Sequence, residues 1–159
     1  MFYDRKGGKF MKAVYAGSFD MFTNGHMSVL DQAVDLFDKV YVVIADNSSK
    51  KRRFDTDFMK MKINEVIAAK GYADKVEVLS SDKLVVRVAE ELGCSYLIRG
   101  LRNATDYAYE ENMALINTAL DEKIRTIYLR AIDASISSSM VYELYTHGED
   151  ISAYLPYSL

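Results

Sequence analysis

At 159 residues, half of them apolar, the chain is long enough to bury one core and points to a single domain. Twenty basic against 23 acidic residues leave a net charge of −3, which argues against a general affinity for nucleic acid or for an anionic membrane. One cysteine excludes an intrachain disulfide framework, and two histidines with one cysteine do not make a zinc site of the ordinary type without carboxylates.

The first eleven residues carry Asp4, Arg5, Lys6 and Lys9 without the apolar run of a signal peptide, and no later stretch is long and apolar enough to span a membrane. The expectation is a soluble cytoplasmic protein, with residues 1–11 an N-terminal extension and one domain over 12–159. Lys12 to Ala16 reads as a buried strand, and Met27 to Phe37 sets Met27, Leu30, Val34 and Phe37 on one helical face. Val40 to Ala45 is a near-continuous β-branched run, the pattern of a strand covered on both faces. Asp46 to Arg53 is a polar loop ending in four consecutive cations, and Thr56 to Lys70 is a helix with Met59, Ile63, Val66 and Ile67 inward.

Val76 to Leu79 reads as a third strand, Leu84 to Leu92 as a helix closed by Gly93, and Ser95 to Ile98 as a fourth strand. Arg99 to Arg102 reads as the loop after it. A long helix over Asp106 to Leu120, a strand over Thr126 to Leu129, a Ser-rich loop over Ile132 to Ser139 and a short helix over Met140 to Tyr145 complete the alternation. Five strands alternating with helices predict an α/β fold with a five-stranded, doubly wound parallel sheet.

In such a sheet ligands bind beyond the C-terminal ends of the strands, near the point where strand order reverses. The loops after strands one, two, four and five carry Ser18 to His26, Asn47 to Arg53, Arg99 to Arg102 and Ala134 to Ser139. Each holds phosphate-binding chemistry. The first runs Gly17-Ser18-Phe19-Asp20 to Thr23-Asn24-Gly25-His26 into the opening turn of a helix, whose unpaired N–H groups and partial positive charge suit an anion. His26 sits where its imidazole can donate to a phosphate oxygen, and Thr23 or Asn24 caps the helix. Lys50 ends strand two as a point charge, although it also belongs to a run of solvated cations. Arg99 and Arg102 can grip separate phosphates, and Ser135 to Ser139 offers hydroxyls and helix amides. Cys94, at the opposite end of the sheet, reads as inert packing. With no thiol or general-base pair placed for attack, the inventory suits phosphoryl or nucleotidyl transfer by positioning and charge stabilisation.

The combination of Gly17-Ser18-Phe19-Asp20, Thr23-Asn24-Gly25-His26, Ser49-Lys50-Lys51, Ile98-Arg99-Gly100-Leu101-Arg102, Asp106-Tyr107-Ala108-Tyr109-Glu110 and Ile136-Ser137-Ser138-Ser139 resembles the bacterial phosphopantetheine adenylyltransferases. The first and last motifs are shared with the wider nucleotidyltransferase superfamily; the Arg-Gly-Leu-Arg and Asp-Tyr-x-Tyr-Glu segment is more specific. The resemblance covers Lys12 to about Pro156 and implies a Rossmann-like nucleotidyltransferase fold.

The resemblance also implies transfer of the adenylyl group of ATP to 4′-phosphopantetheine, giving dephospho-coenzyme A and pyrophosphate by direct in-line attack. The readings left beside it are a nucleotidyltransferase with another acceptor or with CTP, and a nucleotide-binding protein without catalysis. Carried over by resemblance, His26, Lys50 and Arg99 are catalytic. Ser18, Phe19, His26, Gly100, Leu101, Arg102, Glu110, Asp133, Ala134, Ser135, Ile136, Ser137, Ser138 and Ser139 contact ATP. Ser18, Lys50, Leu84, Val85, Arg99, Tyr109, Met113 and Asn117 hold 4′-phosphopantetheine and its pantetheine arm. Magnesium accompanies ATP, with no metal held by the protein alone, and the assembly is a homohexamer.

Four positions depart from the family's usual residues in the loops: Ala16, Met21 and Ser48 stand where proline is usual, and Ser18 where threonine is. Three ring constraints on φ are thereby absent. Tyr142 stands where a basic residue is usual, three positions after the last serine, which removes a cation near the triphosphate tail.

Overall fold

The structure, a computed structural model, describes residues 8–47, 49–132 and 136–159. Among these residues five strands, β1 (Lys12–Gly17), β2 (Lys39–Ala45), β3 (Val76–Ser81), β4 (Tyr96–Leu101) and β5 (Arg125–Arg130), alternate with five helices. These are α1 (Asn24–Leu36), α2 (Thr56–Ala69), α3 (Val85–Leu92), α4 (Ala104–Leu120) and α5 (Ser138–Thr146), and a 3-10 turn follows at Ser152–Tyr154. All neighbouring strands are parallel in the order β3-β2-β1-β4-β5. The chain winds outward from β1 to β3, then returns to lay β4 on the other side of β1. Strand order therefore reverses between β1 and β4, where the C-terminal strand ends splay apart.

The period-2 alternation of β1 divides its side chains between two cores. Ala13 and Tyr15 join a cluster with Ile98, Val42 and the inward faces of α1, α2 and α5, while Val14 and Ala16 join Leu97, Val43 and α3 on the opposite face. This explains why β1 and β2 read as continuous apolar runs: both of their faces are covered. Helix α1 contributes Met27, Leu30, Ala33 and Val34 to the first core, so the register of the whole helix is set by burial. Truncating the fully buried Leu30 to alanine would remove about 2–5 kcal/mol.

Local chemistry sets the helix ends. Asp55 caps α2 by accepting from the amides of Asp57 and Phe58, Asn103 caps α4 by accepting from Asp106, and Ser137 caps α5 by accepting from Met140. Gly93 closes α3 with φ of 64°, a left-handed position where a Cβ would be strained. Ahead of β1, Met11 is already tied to the sheet: its N–H donates to Asp38 Oδ2 at 2.7 Å and its carbonyl accepts from Asp38 and Lys39.

Three expectations change. Arg99, Gly100 and Leu101 lie within β4 and not in a loop, because Tyr128, Leu129 and Arg130 of β5 supply ladder partners in register. Helix α4 begins at Ala104, two residues before the expected start, on the Asn103 cap. Helix α5 begins at Ser138, so Ser138 and Ser139 form its first turn. Cys94 is buried as expected, and burial pushes its thiol up to about 11, which keeps it protonated and unreactive.

Candidate active site

A cavity of about 310 Å³ opens where β1 and β4 diverge. Its walls are the end of β1 and the loop after it, the end of β4, and the first turns of α1 and α5. Two helix N-termini thus face one concave space, each bringing orphan N–H groups and a partial positive charge. Of the residues singled out from sequence, Ser18, Phe19, His26, Arg99, Gly100, Arg102, Glu110, Ile136, Ser137, Ser138 and Ser139 line it. Asp133, Ala134 and Ser135 lie outside the described residues.

His26 occupies the third position of α1. The Thr23 amide donates to its Nδ1 at 3.0 Å, and the Thr23 hydroxyl lies 3.2 Å from the same nitrogen. A nitrogen that accepts from a backbone N–H carries no proton, so the geometry assigns the neutral ring's proton to Nε2. Phe19 and Phe22 pack against the ring with centroids 5.2 and 5.5 Å away. Burial first, then the charges of Arg102 and Arg99, push the imidazole down to about 4. At neutral pH His26 is therefore an uncharged donor held at fixed orientation.

Phe19, although it lines the cavity, is 2% exposed and sits below the surface with φ of 42°. Its ring meets Tyr15 and Phe22 edge-on at 5.1 and 5.3 Å, and this burial holds a backbone conformation that non-glycine residues rarely adopt. A Cβ on Gly17 would come within 3.1 Å of that ring. Gly100 is more constrained: a Cβ there would lie 2.8 Å from Val29 Cγ2, so glycine lets β4 and α1 approach closely beneath the cavity.

Arg99 forms a bidentate pair with Glu110, Nε to Oε2 and Nη2 to Oε1 both at 2.7 Å, and donates from Nη1 to the Ala16 carbonyl at 2.5 Å. Burial opposes the guanidinium charge, but the Glu110 carboxylate outweighs it and raises the Arg99 pKa further. Among the described residues three of its five N–H groups are engaged, leaving two for a ligand. Glu110, expected at ATP, lines the polar cavity with both oxygens on Arg99 and is 8% exposed. Arg102 pairs with Asp106 in the same way, Nε at 3.0 Å and Nη2 at 3.2 Å, and the bonds from Arg102 hold the Asp106 carboxyl below its ordinary range.

A second, apolar cavity of about 70 Å³ adjoins the first, and Ala16, Arg99 and Glu110 line both. Val85, Tyr109, Met113 and Asn117, expected at the pantetheine arm, all line it. The structure thus joins a polar chamber to an apolar one at a guanidinium. Leu84 does not line it: it stands at the N-cap of α3, 63% exposed. Leu101, at the end of β4, and Lys50, on an exposed turn after β2, line neither cavity.

Sequence reading passed over Asp20 and Arg53. The Asp20 carboxylate accepts from the amides of Arg53 at 2.7 Å and Phe54 at 2.9 Å, tying the loop after β1 to the loop after β2. The guanidinium of Arg53 donates to Ser139 Oγ at 3.0 Å. Asp20 belongs to a recognisable motif and Arg53 to a run of cations, but no local signal links them.

The cytidylyltransferase-like family model matches residues 14–144. A phosphopantetheine adenylyltransferase of Lactobacillus johnsonii is 42% identical over 149 residues, 92% of this chain and 88% of that protein. One of Streptococcus pyogenes is 39% identical over 148 residues, 92% of this chain and 90% of that protein. Among solved structures, the nicotinic acid mononucleotide adenylyltransferase of Plasmodium falciparum complexed with NaAD superimposes with a TM-score of 0.62 at 18% identity, over 92% of this chain and 91% of that one. A bifunctional NMN adenylyltransferase/ADP ribose pyrophosphatase of Francisella tularensis gives 0.69 at 13% identity, over 95% of this chain and 46% of that one. At those identities the structural likeness speaks for the fold.

Proposed function

The chain belongs to the phosphopantetheine adenylyltransferase family, and from that membership together with the geometry of its cavities we propose how it transfers the adenylyl group of ATP to 4′-phosphopantetheine, releasing pyrophosphate and dephospho-coenzyme A. The observation that carries the reading is the guanidinium of Arg99 at the seam of a polar and an apolar chamber. The acceptor has that same division: a phosphate at one end and a long, weakly polar arm. Its phosphate seats on the two uncommitted N–H groups of Arg99, with the arm along Val85, Tyr109, Met113 and Asn117.

ATP takes the larger chamber. Its outer phosphates lie at the amides and hydroxyls of Ser137, Ser138 and Ser139, and its α-phosphate lies near His26. An acceptor oxygen bonds to the α-phosphorus as the bond to the bridging oxygen of pyrophosphate breaks, the electron pair leaving with pyrophosphate. Nε2–H of His26 donates to the α-phosphate oxygens as charge builds there, and Arg102 adds a fixed positive charge. Neutrality of His26 suits this work, since a donor that needs no protonation serves equally across neutral pH. Lys50, outside the cavity lining, is assigned to the acceptor phosphate by resemblance alone.

Magnesium belongs with the nucleotide. The carboxylates at the chamber, Asp106 and Glu110, are engaged by Arg102 and Arg99, and no group of three His, Cys, Asp or Glu side chains gathers among the described residues. In this reading magnesium enters on the phosphate oxygens as MgATP and would neutralise part of the triphosphate charge. The apolar side chains that α4 exposes, Tyr109, Leu115, Ile116 and Leu120, support assembly with further copies into the homohexamer implied by resemblance. No helix among the described residues is long and apolar enough to cross a membrane.

Pyrophosphate release with a panel of nucleotides and acceptors tests the assignment. The expected pattern is turnover with ATP and 4′-phosphopantetheine and little with CTP or with nicotinate mononucleotide. Turnover confined to another pair would overturn it.

A further inference from the structure

Three arginines stand at or beside the polar chamber, and two of them are already paired. Arg99 is engaged by Glu110 and Arg102 by Asp106. Arg53 differs: among the described residues its guanidinium has no carboxylate partner, and its contacts are to neutral groups. Nη1 donates to the Asp20 carbonyl at 3.3 Å and Nη2 donates to Ser139 Oγ at 3.0 Å. The guanidinium also lies over the Tyr142 ring, 4.9 Å from its centroid.

This placement is built from below. Both oxygens of Asp20 hold the Arg53–Phe54 backbone, at 2.7 and 2.9 Å. Phe54 in turn packs edge-on against Tyr142 at 5.9 Å and lies the same distance from Tyr145. An exposed arginine is thus oriented by its own main chain, by an aromatic platform and by a serine in the first turn of α5. A full positive charge so held at the mouth of an anion chamber is worth more to a ligand than one that must be ordered on binding.

Resting on the functional reading above, we infer that Arg53 grips the outer phosphates of ATP, and that Tyr142 is the platform that aims it. Position 142 is where the family resemblance leads one to expect a cation, and here an aromatic residue stands there with an arginine from the loop after β2 stacked on its face. The charge is supplied from a different segment of the chain to the same end of the chamber. Among the described residues, Nε–H and further N–H groups on both terminal nitrogens of Arg53 are uncommitted, enough for bidentate contact with a phosphate.

The test is calorimetric binding of ATP and of AMP, each with magnesium, to the full chain and to Arg53→Gln, with thermal melting to verify folding. AMP lacks the outer phosphates. Loss of one charged contact to them is expected to weaken ATP binding by about ten- to a hundred-fold, with AMP changed by less than about two-fold. Adding Tyr142→Lys to Arg53→Gln is expected to recover much of the ATP affinity. Equal ATP binding by the unaltered protein and Arg53→Gln would overturn the assignment, as would equal losses for ATP and AMP or a deficit that Tyr142→Lys leaves whole. An unaltered protein that binds neither nucleotide would instead overturn the functional reading, and this inference with it.

Discussion

Arg99 and Glu110 meet through two parallel N–H to oxygen contacts of 2.7 Å at the seam between the polar and apolar chambers. The pair orients a guanidinium whose remaining donors are turned over to ligand. Glu110→Ala leaves the half-buried charge unpartnered, at a cost of about 2 kcal/mol. In a chain of this size that corresponds to a fall in Tm of about 4–8 °C. Because Arg99 loses its orientation as well, KM for 4′-phosphopantetheine is expected to rise while ATP binding by calorimetry changes little. An unchanged acceptor KM would remove Glu110 from that role.

His26 gives the molecule a pH dependence of defined sign. Its folded pKa of about 4 lies below the ordinary 6.5, so as pH falls the unfolded chain takes up this proton first. The contribution to stability is full above pH 6.5 and is lost as pH falls toward 4. Urea unfolding at pH 7 and at pH 4.5 should show a larger loss for the unaltered protein than for His26→Gln. Nitrogen NMR, with the signal assigned by its absence from His26→Gln, should show the Nε2–H tautomer and no titration near 6.5; a midpoint there would contradict the burial and the Thr23 contact.

Gly100 sets the distance between β4 and α1. Gly100→Ala brings a Cβ to 2.8 Å from Val29 Cγ2, and since α1 carries His26 the adjustment reaches the site. We expect about 1–3 kcal/mol of destabilisation by denaturant melting, with reduced turnover. Val29→Ala in the same chain should relieve the clash and recover turnover. If the double variant is as impaired as the single one, close packing is not what Gly100 provides.

The apolar chamber predicts a selective effect. Met113→Trp fills a cavity of about 70 Å³ from α4. Steady-state kinetics should show a raised KM for 4′-phosphopantetheine with KM for ATP near that of the unaltered protein. A rise confined to ATP would place the acceptor elsewhere.

Much of this arrangement was legible before the structure, for reasons that particular residues make plain. Val40 to Ala45 reads as a doubly covered strand because burial on both faces leaves an unbroken apolar run. His26 is legible because helix capping and anion binding are local properties of one turn. Arg99 to Leu101 reads as a loop because arginine and glycine carry no strand signal, and the partners that keep them in β4, Tyr128 to Arg130, belong to a later strand. The pairing of Glu110 with Arg99 is not legible in sequence, because the two residues are 11 positions apart on different elements. Arg53 is the clearest case. In sequence it is one cation of four, while the groups that orient it, Asp20 and Ser139, lie 33 and 86 residues away.

The central claim is that adenylyl transfer to 4′-phosphopantetheine is promoted by the neutral Nε2–H of His26. It is tested most directly by measuring dephospho-coenzyme A formed from saturating MgATP and 4′-phosphopantetheine by the unaltered protein and by folded His26→Ala. The account predicts product from the first and a kcat lower by on the order of 10²–10³ in the second. No product from the unaltered protein, or equal rates from both, would contradict it.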